Sequence, residues 1–217
     1  MTTTTTTTTA STETTTRSRL VVLVSGSGSN LQAVLDACAS GVIDADVVAV
    51  VSNRPDAYGL TRASDAGVDT AVVERSDGEE RTVFDARLAD VVARFDPDWV
   101  VLAGWMRLLT TTFLDRFPGR VVNLHPALPG DLPGTRAIER AWDEAQAGRR
   151  TRSGVMVHLV PDEGVDDGPV LATAVVEIDT AGTLGAFEEA VHTTEHRLLV
   201  DTLATLCTPP TTPGDPP

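Results

Sequence analysis

Hydrophobic positions fall along this chain in two alternating rhythms. "LVVLVSG", Leu20 to Gly26, is a continuous apolar run that stops at a glycine, as a strand buried on both faces does. "NLQAVLDACASG" follows, with Leu31, Val34, Leu35 and Cys38 at helical spacing and Gly41 as a stop. The alternation then repeats. "DVVAVVSN" reads as a second buried strand, "GLTRASDAG" as a short helix ending at Gly67, and "DTAVVE" as a third strand. "EERTVFDARLADVVARF" is an amphipathic helix, "DWVVLAG" and "RVVNLHP" are a fourth and a fifth strand, and "TRAIERAWDEAQAG" is another helix. "GVMVHLV" and "VLATAVVEI" predict a late strand pair of antiparallel sense, and "TLGAFEEAVHTTEHRLLVDTLATL" a final helix. Strand–helix alternation with short connections predicts an α/β fold: a doubly wound, mostly parallel, Rossmann-like sheet with an antiparallel late strand.

Two segments fall outside this pattern. Residues 1–17 are a threonine-rich tract, and 209–217 are proline-rich. Neither has an apolar face whose burial would offset its ordering entropy, so both are expected to be disordered tails around one domain, 18–208. A chain of 217 residues that is 41% hydrophobic suits one such domain. No apolar run approaches the roughly 18 to 20 residues of a membrane helix, and no basic-then-apolar leader opens the chain. Cys38 and Cys207 lie far apart, and Cys38 sits in an apolar helical pattern, which suits a buried reduced thiol and a cytoplasmic location.

Charge narrows the partners. The net charge is −14, the chain has no lysine, and every formal cation is arginine. Such a surface repels nucleic acid and anionic membranes, so neither is expected as a partner. It also resembles the acidic, lysine-poor surface of proteins from salt-loaded cells, and predicts a halophilic dependence of stability on potassium chloride.

Several stretches carry candidate chemistry. Ser25-Gly26-Ser27-Gly28-Ser29-Asn30 follows a strand and opens a helix, where glycines let backbone N–H groups approach an anion at the favourable end of the helix dipole. A dinucleotide fingerprint needs a third glycine where Leu31 stands, so a monophosphate fits better; a plain N-cap at Ser29 or Asn30 is the alternative. Val121, Asn123 and His125 alternate along "RVVNLHP", so they share one face and end beside Pro126. The imidazole titrates near neutrality, and the amide can donate to a developing oxyanion. No G-x-S-x-G elbow supports a serine nucleophile. "VPDEGVDDGPV" holds Asp162, Glu163, Asp166 and Asp167, read either as a solvated acidic turn or as the source of a carboxylate partner for His125. A metal site ranks last, because ligand spacing of the calcium or zinc kind is absent. "LAGWMRLL" follows a strand end; Met106, Leu108 and Leu109 suit an apolar slot or the core, and Arg107 a carboxylate. His158 alternates within an apolar strand as a core or supporting histidine. His192, Glu195 and His196 share a helix face that is solvated by default.

"VSGSGSNLQAVLDA", "SNRPDAYGL", "LAGWMRLL", "NLHPALPG" and "PDEGVDDGPV", in this order and spacing, resemble the phosphoribosylglycinamide formyltransferase family from Leu20 to about Leu206. The resemblance implies the formyltransferase-type fold. It also implies transfer of a formyl group from 10-formyltetrahydrofolate, as co-substrate, to the amine of glycinamide ribonucleotide in purine biosynthesis, with no metal. It assigns Asn123, His125 and Asp166 to catalysis. Gly28, Ser29, Asn30 and Glu195 go to the ribonucleotide's phosphate and ribose, and Arg81, Met106, Arg107, Leu108 and Leu109, with Asn123, to the folate. On this reading Asp166 raises the His125 pKa so that imidazolium exists near neutral pH, and Asn123 with His125 holds the oxyanion. The stretch Ala127 to Ile138 departs from the family's pattern and is expected to form a lid over the folate. A monomer or homodimer is expected. The alternatives are a formyltetrahydrofolate hydrolase and a non-catalytic nucleotide- or folate-binding sensor. The initiator methionyl-tRNA enzyme shares the domain but needs basic surface for tRNA.

Overall fold

The computed structural model describes residues 17–208, so the expected tails, 1–16 of the first and all of the second, lie outside the described residues. Arg17, read as the end of the first tail, is held against the fold, its Nη1 2.6 Å from Asp46 Oδ1 and its Nη2 donating to the Cys38 and Ile43 carbonyls.

The elements run β1 (Ser18–Val24), α1 (Ser29–Ala39), β2 (Ala45–Ser52), α2 (Tyr58–Asp65), β3 (Asp69–Val72), α3 (Arg81–Ala93), β4 (Trp99–Leu102), α4 (Thr111–Leu114), β5 (Val121–His125), α5 (Ala137–Gln146), β6 (Arg152–Leu159), β7 (Val170–Glu177) and α6 (Leu184–Leu206). One sheet takes the order β3-β2-β1-β4-β5-β6-β7. Strands β1 to β5 are mutually parallel, and β6 runs antiparallel to both β5 and β7. The late strand pair is therefore antiparallel as expected, and β6 also reverses direction against the parallel block. The chain winds outward from β1 to β3, then returns to place β4 on the other side of β1. That reversal is the switch point beside which ligands bind in such sheets.

Strand parity sorts the apolar residues onto two faces. Leu20, Val22, Val101, Val122, Leu124, Val155 and Val157 pack with α1, α2, α5 and α6. Val21, Leu23, Val100, Leu102 and Val121 pack with Phe84 and Leu88 of α3 and Phe113 of α4. Each fully buried Val or Leu contributes roughly 1.5 to 3 kcal/mol, so this parity fixes the strand register firmly. Asn123 and His125 share the parity of Val121. They therefore emerge on the α3/α4 face, at the carboxyl end of β5, where polar side chains replace the apolar run. Cys38 and Cys207 are buried and free, and burial pushes the Cys38 thiol up to about 11, which leaves it unreactive.

Candidate active site

A cavity of about 320 Å³ opens at the carboxyl ends of β4 and β5, within the size range of small-molecule sites. Its walls are the Gly104–Leu109 stretch after β4, Asn123 and His125 at the end of β5, residues 134–137, and the acidic loop after β6.

Asp166 stands at the centre of the polar wall. Its Oδ1 accepts from Asn123 Nδ2 at 3.0 Å, its Oδ2 lies 3.3 Å from His125 Nδ1, and Oδ2 also accepts from the Gly134 N–H at 2.8 Å. The choice between neighbouring carboxylates is thereby resolved: Asp166, not Asp167, faces His125. The loop reaches this position through Asp166 itself in the left-handed region, with φ 54°, and through Gly168, where a Cβ would run into the Leu159 carbonyl.

His158 joins them through pairing. It is directly opposite Asn123 in the β5–β6 register, so the two side chains share a face. The buried His158 ring places Nδ1 2.8 Å from the Leu159 carbonyl oxygen, which calls for Nδ1–H, and so leaves Nε2 as the acceptor for Asn123 Nδ2 at 3.1 Å. Two acceptors, a carboxylate and an imidazole lone pair, thus fix which way the Asn123 amide points. Both Asn123 N–H groups are engaged within the protein in this state. The sequence left His158 between core and supporting roles, and only the strand register assigns it to the site.

His125 lies under residues 126–136. It is 4% exposed, and its Nε2 meets the Leu132 carbonyl at 3.1 Å. Arg140 Nη2 holds that same carbonyl and that of Pro133, each at 2.7 Å. The covering segment bends through Leu132 and Arg136 at positive φ, a conformation that costs on the order of 1 to 3 kcal/mol per non-glycine residue. Burial pushes the His125 pKa below its ordinary value; Asp166 and the Leu132 carbonyl pull it upward but do not win. The expectation of a raised pKa is therefore corrected: desolvation beneath the covering segment outweighs the carboxylate. Burial pushes Asp166 up, but the Gly134 N–H and His125 outweigh it and hold the carboxyl below its usual range; His158, with its Nε2 lone pair turned to this side, donates nothing to the carboxylate.

The phosphate-type loop lies at the end of β1, one strand from β4. Gly28 is the N-cap of α1 at φ 69°, with no side-chain cap, so the plain N-cap reading of Ser29 or Asn30 is not realised and the first N–H groups of the helix remain open. A Cβ on Gly28 would lie 2.7 Å from the Gly59 Cα, so two glycines dock the loop on α2. Asn30 Nδ2 reaches Glu195 Oε2 at 3.3 Å, and the same oxygen accepts from His192 Nδ1 at 2.7 Å. Glu195 is buried and not on a solvated face; its hydrogen bond raises the His192 pKa. Asn30 Oδ1 is buried with no hydrogen-bond partner among the described residues, an acceptor open to a ligand hydroxyl.

The apolar stretch divides in two. Met106 and Leu108 are exposed towards the cleft, while Leu109 is buried in the α3/α4 core. Arg107 lies 5.1 Å over the Phe84 ring, and Arg81 Nη2 reaches the Leu108 carbonyl at 3.4 Å. A second pocket joins Arg81, Phe84, Asp85, Met106, Arg107 and Leu108. Among the described residues no cluster of three or more His, Cys, Asp or Glu is placed to hold a metal ion, and no helix is long and apolar enough to cross a membrane.

Chemically, the cleft offers a buried imidazole between two acceptors, an oriented amide, a carboxylate that holds both, and guanidinium groups at the far wall. A family profile described as formyl transferase matches residues 18–203. Phosphoribosylglycinamide formyltransferase of Schizosaccharomyces pombe is 42% identical over 198 residues, covering 86% of this chain and 95% of that protein. The enzyme of the same name from Dictyostelium discoideum is 39% identical over 199 residues, covering 86% and 96%. Among solved structures, glycinamide ribonucleotide transformylase 1 from Symbiobacterium toebii superposes with a TM-score of 0.83 at 38% identity, covering 89% of each chain.

Proposed function

The chain belongs to the formyl transferase family, and from that premise we propose how its cleft performs the family's reaction. The protein is a phosphoribosylglycinamide formyltransferase, an enzyme of purine biosynthesis that transfers a formyl group from a folate-type co-substrate to the amine of glycinamide ribonucleotide. We take the donor to be 10-formyltetrahydrofolate, the location to be cytoplasmic, and the active form to be a monomer or homodimer. The acidic, lysine-free surface supports function at high salt.

The observation that carries the mechanism is the convergence of Asn123, His125 and the Gly134 N–H on the single carboxylate of Asp166, with the His158 Nε2 lone pair orienting the Asn123 amide. With the Leu132 carbonyl withdrawn from Nε2, Asp166 retains the Nδ1–H of a neutral His125. The Nε2 lone pair then faces the substrates, the tautomer that a general base requires. The ribonucleotide amine attacks the formyl carbon, and the carbonyl π electrons move to oxygen. His125 Nε2 takes the proton released by the amine, and the imidazolium so formed lies against Asp166. Asn123, letting go of one of its two internal acceptors, donates to the oxyanion together with the His125 Nε2–H. Collapse expels the folate nitrogen, which receives the proton from His125, leaving formylated ribonucleotide, tetrahydrofolate and neutral imidazole. Holding both substrates in one cleft supplies the proximity on which direct transfer depends.

Gly28, Ser29 and Asn30 bind the phosphate through open N–H groups at the start of α1, and Glu195 the ribose. Met106 and Leu108 flank the pterin over the buried Leu109, and Arg81 and Arg107 suit the carboxylates of the folate tail. The test is substitution within the convergent set. Asn123→Ala and His125→Ala are each expected to lose on the order of 100-fold in kcat while remaining folded by circular dichroism. Wild-type turnover in either variant would remove the mechanism.

A further inference from the structure

The wall that carries Met106 to Leu109 and the loop that carries Asp166 are stapled together at the start of α4. This helix has four residues, and its N-cap Thr110 makes no side-chain cap, so its first N–H groups need partners from elsewhere. Two carboxylates supply them. Asp85, on α3 and buried, accepts from the Thr110 N–H at 2.6 Å. Glu163, on the exposed acidic loop, accepts from the next N–H, that of Thr111, at 3.0 Å. Each bond is charge-assisted. The same α3 also touches the stretch through Arg81 and the Leu108 carbonyl. The stretch is therefore pinned to α3 on one side and to the acidic loop on the other, and Glu163 is three residues before Asp166.

We propose that Glu163 is a positioning residue: through the Thr111 amide it sets the Asp166 loop against the wall that Met106 to Leu109 form, so that the formyl donor's binding wall and the carboxylate behind His125 move as one unit. The inference rests on the formyl-transfer reading of the same cleft and assigns a role to a carboxylate outside the cavity's lining. A small displacement of a catalytic group is enough to cost one to two orders of magnitude in rate, so the exposed hydrogen bonds that Thr111 makes to Glu163, from its N–H at 3.0 Å and its hydroxyl at 3.5 Å, matter to turnover.

Glu163 is exposed, so its truncation leaves the core intact. Glu163→Ala is expected to lower kcat/KM for 10-formyltetrahydrofolate about 10-fold, through both a higher donor KM and a lower kcat, with ribonucleotide KM and Tm unchanged. Glu163→Gln keeps an acceptor for the Thr111 N–H and is expected to recover most of the loss. Hydrogen exchange provides a readout independent of activity: in Glu163→Ala, the Thr111 amide and those of residues 162–168 exchange faster together. Wild-type kinetics in Glu163→Ala, equal impairment in Glu163→Gln, or faster exchange at Thr111 without the loop would each overturn the proposal. A wild-type protein inactive in formyl transfer would instead strike the reading of the site, while the exchange measurement would still decide the staple.

Discussion

His125 meets an acceptor at each ring nitrogen, yet burial keeps its pKa low. The neutral ring therefore dominates at neutral pH, and in the mechanism we propose the imidazolium arises only in the course of turnover, against Asp166. The sign is testable. The kcat/KM profile, which reports the free enzyme, is expected to have an acid limb that belongs to His125 and lies below the ordinary histidine value, with activity rising as the ring loses its proton. Asp166 pulls that pKa up, so Asp166→Asn is expected to move the limb to still lower pH while kcat falls by about 100-fold. A wild-type rate that instead falls as pH rises past a value above 6.5 would restore the resting imidazolium. Sequence made Asn123 and His125 legible, because period-two alternation at a strand end is a local signal. The direction of the His125 shift was not legible, because it depends on a segment seven residues downstream folding back over the ring. His158 was equally hidden, since its neighbour is set by β5–β6 register.

Between elements, close approaches decide the geometry. Gly28 at positive φ packs on Gly59, so the phosphate loop and α2 are docked backbone to backbone. Gly28→Ala places a Cβ in the left-handed region, costing about 1 to 2 kcal/mol before the contact with Gly59 is counted. Its expected outcome is a lower midpoint in denaturant and a raised ribonucleotide KM; an unchanged midpoint would show that the loop adapts. Parallel strands β1 to β5 and their helices were readable from hydrophobic period. Helix α4 was not, since four residues give no period to detect. An antiparallel late strand was expected; that β6 is that strand and lies against β5 was not readable, since which strands become neighbours is a property of the chain path and not of either strand. The capping of α4 by Asp85 and Glu163 joins residues distant in sequence, which is why "PDEG" reads only as an acidic turn on its own.

For the molecule as a whole, a charge of −14 carried by 31 acidic and 17 basic side chains sets the solution behaviour. Like charges repel across the surface, and salt screens them over about 10 Å at 0.1 M and about 3 Å at 1 M. Thermal unfolding from low to multimolar potassium chloride is expected to show Tm rising with salt, most steeply at the low end; a flat dependence would mean that the acidic surface is already balanced locally. The central claim, formyl transfer onto a ribonucleotide amine, is tested most directly by a spectrophotometric assay of tetrahydrofolate release from 10-formyltetrahydrofolate in high potassium chloride, run with and without glycinamide ribonucleotide. Release that requires the ribonucleotide, matched by formylated product, is the predicted result. Release without the ribonucleotide, or none from the folded protein in either case, would contradict the account.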